Sequence, residues 1–142
     1  MREIKFRAFD PSTQHMFQPQ TLEELTTKTS YILVGWKNLE VMQFTGVLDL
    51  HGVEVYEGDI IKVLDRDWPS QLGDFPDLSH EEYIDSIASI CQVVYEPAEF
   101  FLKQIRGKGH FSPSLSGVYG RDYFEVIGNI YENPELLEAK ND

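Results

Sequence analysis

Short runs of alternating apolar and polar residues, cut by terse turns, fill most of this chain. Ile4, Phe6, Ala8 and Phe9 are interleaved with Lys5 and Arg7, the period-two pattern of a strand with one covered and one wetted face. Asp10-Pro11-Ser12 stops that run with turn chemistry. Tyr31 to Val34 is a short β-rich run broken at Gly35, with Trp36 beside it at the rim of a core. Leu39 to Val47 reads as a strand with Met42 and Phe44 on one side and Val41, Gln43 and Thr45 on the other. Asp49-Leu50-His51-Gly52 supplies a hairpin turn, because Gly52 tolerates the positive φ such turns demand. Val53, Val55 and Tyr56 lead into a Glu57-Gly58-Asp59 turn, after which Ile60, Ile61, Val63 and Leu64 resume as an apolar strand. Cys91 to Glu96 and Phe100 to Ile105 make two more strands around Pro97-Ala98, and Tyr123 to Tyr131 a last one around Gly128. Short strands with such brief connections predict a mainly β chain folded as a small twisted barrel rather than parallel strands crossed over by helices.

Helical signals are few and local. Thr21 and Glu24 have the spacing of a capping box and predict a short helical turn. Ser79 and Glu82 repeat that spacing, followed by Tyr83, Ile84, Ile87 and Ala88 at helical intervals. Asn133-Pro134-Glu135 predicts a short C-terminal helix, with Asn at the N-cap, Pro in the first turn and Leu136 and Leu137 to bury. Two segments fall outside the pattern. From Asp65 to Leu78 the chain turns to Asp, Pro, Gly and Ser, the start of a long excursion over about 65–90 that carries the second helix. Residues 106–122 form a Gly-rich loop, with a further strand near Phe111. The whole, residues 1–142, reads as a single domain.

Composition narrows the partners. The net charge is −12, and an acidic surface opposes both a phosphate backbone and an anionic membrane. It either keeps the protein well solvated, or meets a basic partner by imitating a phosphate array. No apolar run approaches a membrane span, and the N-terminal MREIKFRAFD has no signal-peptide core. These features predict a cytoplasmic protein. The lone cysteine, Cys91, lies in an apolar run and reads as a buried hydrophobe.

Candidate chemistry is sparse. His15, His51, His80 and His110 are scattered without metal-ligand spacing. No nucleophile elbow is present, and Gly107-Lys108-Gly109 lacks the leading Gly and following Ser or Thr of a phosphate-binding loop. No cofactor motif is found. Glu54, Glu57 and Asp59 crowd neighbouring turns, where they would raise a pKa, bind a divalent cation or simply brace the turn. The last is preferred because Gly58 sits between Glu57 and Asp59. Trp68 and Phe75 stand out from a polar segment with no periodic core to explain them. They either fold back onto the domain or mark an interaction surface.

Three segments carry a resemblance: MREIKFRAFD at residues 1–10, MQFTGVLDLHGVEVYEGDIIK at residues 42–62, and EVIGNIYENPELL at residues 125–137. In this order the chain resembles the YopX family of bacteriophage and prophage proteins. The resemblance implies a mainly β protein with an SH3-type-like barrel, encoded by a phage or prophage in a bacterial host, with no known activity and no catalytic residues to carry over. The turn Asp49-Leu50-His51-Gly52 departs from the more polar, Lys-rich turn of the family, so no shared role for it is carried over. The expected function is that of a non-enzymatic accessory protein acting through protein contacts, self-assembling as a homo-oligomer or binding a host or phage protein. The alternative is a nucleic-acid-binding barrel using a local basic face of Lys5, Arg7, Lys103, Arg106, Lys108 and Arg121, with Arg2 nearby.

Overall fold

The computed structural model describes residues 3–27, 35, 37–64, 89–96, 99–106, 115 and 123–138. Among the described residues eight strands run in chain order: β1 Lys5–Asp10, β2 His15–Thr21, β3 Glu40–Leu48, β4 Glu54–Tyr56, β5 Asp59–Leu64, β6 Ser89–Glu96, β7 Glu99–Arg106 and β8 Tyr123–Asn129. A short α-helix, α1 at Leu22–Thr27, follows β2. The capping box predicted for it is complete: the Glu24 N–H donates to Thr21 Oγ1 and the Thr21 N–H to Glu24 Oε1, both at 3.2 Å.

The strands form two four-stranded antiparallel sheets, ordered β2-β1-β3-β4 and β7-β6-β5-β8. Among the described residues they do not close into the expected SH3-type barrel. The reason lies at β4, which is only three residues long. The chain turns at once through Glu57-Gly58 and enters the second sheet as β5, so among the described residues no continuous ladder runs from one sheet to the other. The alternation of β4 serves both cores instead: Val55 packs with Ile61, Val63, Cys91, Val93, Leu102 and Phe124 of the second sheet, while Tyr56 joins Phe9, Met42 and Phe44 of the first.

Strand β2 has no counterpart in the sequence reading. It is an outer strand of its sheet, and Pro19 within it is tolerated there because an outer strand can leave a missing N–H unpaired. In β5, Ile60 and Ile61 are both fully buried, which a register shift between them on the β8 side makes possible. Leu115, inside the predicted Gly-rich loop, is 2 % exposed and belongs to the second core.

At the C-terminus the predicted helix is a short 3-10 turn, Pro134–Leu137, with no buried residue. Asn133 does not cap it by a side-chain bond, because its Oδ1 accepts the Asn129 N–H at 3.2 Å. Asn129 in turn accepts from the Tyr131 and Glu132 N–H groups at 3.0 and 2.8 Å. A Cβ at Gly128 would stand 2.6 Å from Asn133 Oδ1, so the Gly-Asn-Ile-Tyr-Glu-Asn segment is a self-bracing turn that requires Gly at its start. The helix predicted after Ser79, the run Tyr31 to Val34, Trp36 and Phe111 lie outside the described residues.

Candidate functional site

The densest grouping of charge joins the two sheets. Lys5 and Arg7 project from β1 on the face read as solvent-facing, yet their side chains are only 16 and 14 % exposed. Each is covered because it meets a carboxylate from the β4–β5 segment. Lys5 Nζ pairs with Glu54 Oε2 and, at 3.2 Å, with Glu3 Oε1. Arg7 Nη2 pairs with Asp59 Oδ1, whose side chain is 1 % exposed. Aromatic faces complete the setting: the Arg7 guanidinium carbon lies 4.4 Å from the Tyr56 ring centroid, and Lys5 Nζ lies 5.3 Å from that of Phe44. The Tyr56 hydroxyl donates to Glu54 Oε1 at 3.2 Å.

Each of these groups has a physical reason for its proton affinity. The bond to Glu54 raises the Lys5 ammonium pKa, against burial, which lowers it. Burial raises the Tyr56 phenol, helped by the charge of Glu54. Burial also holds Asp59 above the usual carboxylate range, although Arg7 and the Tyr56 N–H, which donates to Oδ2 at 2.7 Å, both pull it down. The buried Nε–H of Arg7 has no hydrogen-bond partner. The cluster pins β1 to the start of β5, and its charges answer one another.

A second carboxylate works at the β3–β4 hairpin turn. Asp49, 7 % exposed, accepts the N–H groups of His51 and Val53 at 2.8 and 2.9 Å through Oδ1, and that of Val126 at 2.9 Å through Oδ2. Burial pushes its pKa up, but these three donors outweigh it and leave the group below its ordinary value. The Leu50 N–H also reaches the Phe124 carbonyl at 3.2 Å. The hairpin tip is thereby clipped onto the outer strand β8. On this clipped tip Leu48, Leu50 and Val53 remain 44, 54 and 48 % exposed.

The sequence-predicted site residues fare unequally. Trp68, Phe75, Lys108 and Arg121 lie outside the described residues, as do His80 and His110. Lys103 is exposed on β7 and Arg106 ends that strand, in the second sheet. Lys5 and Arg7 belong to the first sheet and are held in internal ion pairs, so Lys5, Arg7 and Lys103 share no exposed basic face. Asp59 braces its turn through the Tyr56 N–H, as the structural reading preferred. His15 stacks edge-on against Phe17 at 4.7 Å, and His51 Nε2 lies 3.2 Å from Glu125 Oε2. Among the described residues, no group of three or more His, Cys, Asp or Glu is placed to hold a metal ion. Cys91 is fully buried, and burial pushes its thiol up to about 12. Sequence reasoning missed the Asp49 clip and the exposed tip. The available signal was a leucine in the middle of a hairpin turn, a place that ordinarily favours polar residues.

Comparison with known proteins agrees with this architecture. The crystal structure of protein EF1440 from Enterococcus faecalis is similar at 24% identity and a TM-score of 0.54, over 95% of this chain and 98% of that one. The X-ray structure of protein yopX from Bacillus subtilis is similar at 18% identity and a TM-score of 0.50, over 94% of this chain and 98% of that one. At these identities the likeness concerns the fold alone. No curated protein matches the chain. The family described as YopX protein matches residues 5–138, nearly the full length, and the chain belongs to the YopX family.

Proposed function

We propose that this protein is a non-enzymatic accessory protein of phage or prophage origin that acts in the bacterial cytoplasm through contacts with other proteins. The observation that supports this reading is the grouping of Leu48, Leu50 and Val53, all substantially exposed, on one hairpin tip. Large apolar side chains gathered on a surface mark contact sites more often than they occur by chance. Among the described residues no helix is long and apolar enough to cross a membrane. The buried charges favour the same reading: Arg7 with Asp59 ties the two sheets together and Lys5 with Glu54 ties β1 to β4, so these charged groups are spent on one another.

Self-association is the simplest form such contacts take, although a net charge of −12 on each copy sets like surfaces against one another. Light scattering of the full chain over a range of concentrations, together with affinity capture from the host cell, tests the reading. A mass above one copy, or a reproducibly retained protein, is the expected outcome. A strict monomer that retains nothing would overturn it. The nucleic-acid alternative loses Lys5 and Arg7 to internal pairs, and a salt-dependent gel shift on DNA or RNA is the result that would restore it.

A further inference from the structure

We infer that the tip of the β3–β4 hairpin is a preformed peg that enters an apolar cleft rimmed by Lys or Arg on a different protein. This rests on the protein-contact reading above and names both the surface and the chemistry of its partner.

Two features of the tip converge. It is apolar where a hairpin turn is ordinarily polar: Leu48, Leu50 and Val53 are 44, 54 and 48 % exposed within six residues. It is also rigid before any partner arrives. The Asp49 carboxylate holds the N–H groups of His51, Val53 and Val126, the Gly52 N–H donates to the Asp49 carbonyl at 3.0 Å, and the Leu50 N–H donates to Phe124. Binding through such a tip avoids most of the entropy loss of ordering a loop, which otherwise opposes association. A buried ion held by neutral donors serves here to fix the backbone while the leucines point outward.

Charge decides the occupant. Glu54 stands opposite Leu48 in the hairpin register, and Glu125 stands beside His51. Their side chains are 32 and 35 % exposed, so each can accept a further cation at the edge of a contact. A second copy of this chain, itself at −12, would set carboxylates against carboxylates. A cleft edged with Lys or Arg complements both glutamates while its floor covers the three apolar side chains. The partner of the tip is therefore a basic-rimmed surface of a different protein, and any self-association of the chain uses another face.

Photo-crosslinking tests this directly. Leu50 and Val53 are replaced, one at a time, by p-benzoylphenylalanine in the full chain, with Thr13 of the exposed β1–β2 turn as the control position. Crosslinking is run in cells of the organism that encodes the chain and in their cleared lysate at low and high salt. The expected result is a discrete adduct with another protein from positions 50 and 53, about ten-fold above the yield at position 13. Raising the salt from about 0.05 to about 0.5 M, which shortens the screening length several-fold, lowers that yield about ten-fold. Adding Leu48→Ser and Val53→Ser to the position-50 probe removes the adduct, with thermal melting confirming that the fold persists. An adduct of two copies, an adduct indifferent to salt, or equal labelling at Thr13 overturns the inference. Capture from Thr13 but not from the tip refutes the peg and leaves the protein-contact reading standing. No adduct at any position, with a monomer that retains nothing, removes both.

Discussion

Asp49 and Asp59 are both buried at tight turns of one continuous stretch, 7 and 1 % exposed, yet they are held in opposite ways. Asp49 is surrounded by backbone N–H groups from its own turn and from β8. Asp59 takes one backbone N–H and the Arg7 guanidinium. The first arrangement lowers the carboxyl pKa and the second leaves it raised. The difference teaches what burial exacts from an ion. Neutral donors already fixed by the fold stabilise a carboxylate without bringing a second charge out of water. An ion pair must desolvate both partners, and here one buried donor, the Nε–H of Arg7, goes unmatched. The hairpin clip is therefore the stabilising element, whereas the ion pair chiefly specifies how the sheets meet.

The sharpest way to break this contrast is to remove one partner of the ion pair. Arg7→Met leaves Asp59 buried without its counter-charge and is expected to cost about 3–5 kcal/mol, read by urea unfolding. Adding Asp59→Asn, which keeps an acceptor for the Tyr56 N–H, should restore stability to within about 1 kcal/mol of the native chain. If the double variant is as damaged as the single one, the pair is a true source of stability and the contrast fails.

Asp49→Asn comes next, at about 2–3 kcal/mol, because one amide oxygen cannot replace two carboxylate oxygens receiving three N–H groups. The two acids should also impose opposite pH slopes on unfolding. The lowered pKa of Asp49 means that its contribution is present above the ordinary carboxylate value of 3.8 and is lost as pH falls through the folded value. The raised pKa of Asp59 reverses the sign: its contribution is present below 3.8 and is lost as pH rises through the folded value. Denaturant midpoints measured across the acid range should therefore fall less steeply toward low pH in Asp49→Asn than in the native chain, and more steeply in Asp59→Asn.

The glycines of the two turns extend the comparison. Gly52 and Gly58 have φ of 80° and 87°, a region that costs other residues about 1–2 kcal/mol. Around Gly52 an added Cβ meets nothing, and around Gly58 it meets only ordinary contacts such as Met42 Sδ at 3.5 Å. Gly52→Ala and Gly58→Ala should therefore lose similar stability by thermal melting, both through the backbone. A much larger loss at Gly58 would show that its turn, with bonds to the Val93 carbonyl and from the Ile130 N–H, carries more of the sheet-to-sheet joint than its steric surroundings indicate.

What could be read from the sequence follows the range of the interactions. The strands around Met42 and Val63, the Gly52 turn and the Thr21–Glu24 capping box were legible because their causes lie within a few residues. Period-two alternation told correctly that β1 is a strand, but not that its polar face is covered. Nothing near Arg7 in sequence announces Asp59, which meets it only after the chain has crossed into the second sheet. The open pairing order has the same origin, since a barrel and two sheets can share identical local patterns. Strand β2 was lost because Pro19 and its glutamine neighbours dilute the alternation, a composition permitted by its outer position. Leu115 stood among Ser, Gly and Pro with no periodic neighbour to mark it as core. The exposed leucines of the tip were visible as letters, but their exposure depends on a clip to Val126 and Phe124, far along the chain.

The smallest expected effect probes the setting of the ion pair rather than the pair itself. Tyr56→Phe removes the hydroxyl that donates to Glu54 at 3.2 Å and keeps the ring beneath Arg7. Glu54 retains its bond from Lys5, so no buried acceptor is stranded, and the loss should be about 0.5–1 kcal/mol by urea unfolding. Tyr56→Leu removes the ring as well. It forfeits the face under the guanidinium, and with it the tilted contact to Phe44 at 5.5 Å between centroids, so its loss should clearly exceed that of the Phe variant. In the Arg7→Met background the gap between the Phe and Leu variants should narrow, because part of it comes from the cation above the ring. A gap that stays unchanged would mean that Tyr56 acts only as core packing for the first sheet. The guanidinium would then be held by Asp59 alone, and the ion pair would be a stronger element than its contrast with the Asp49 clip implies.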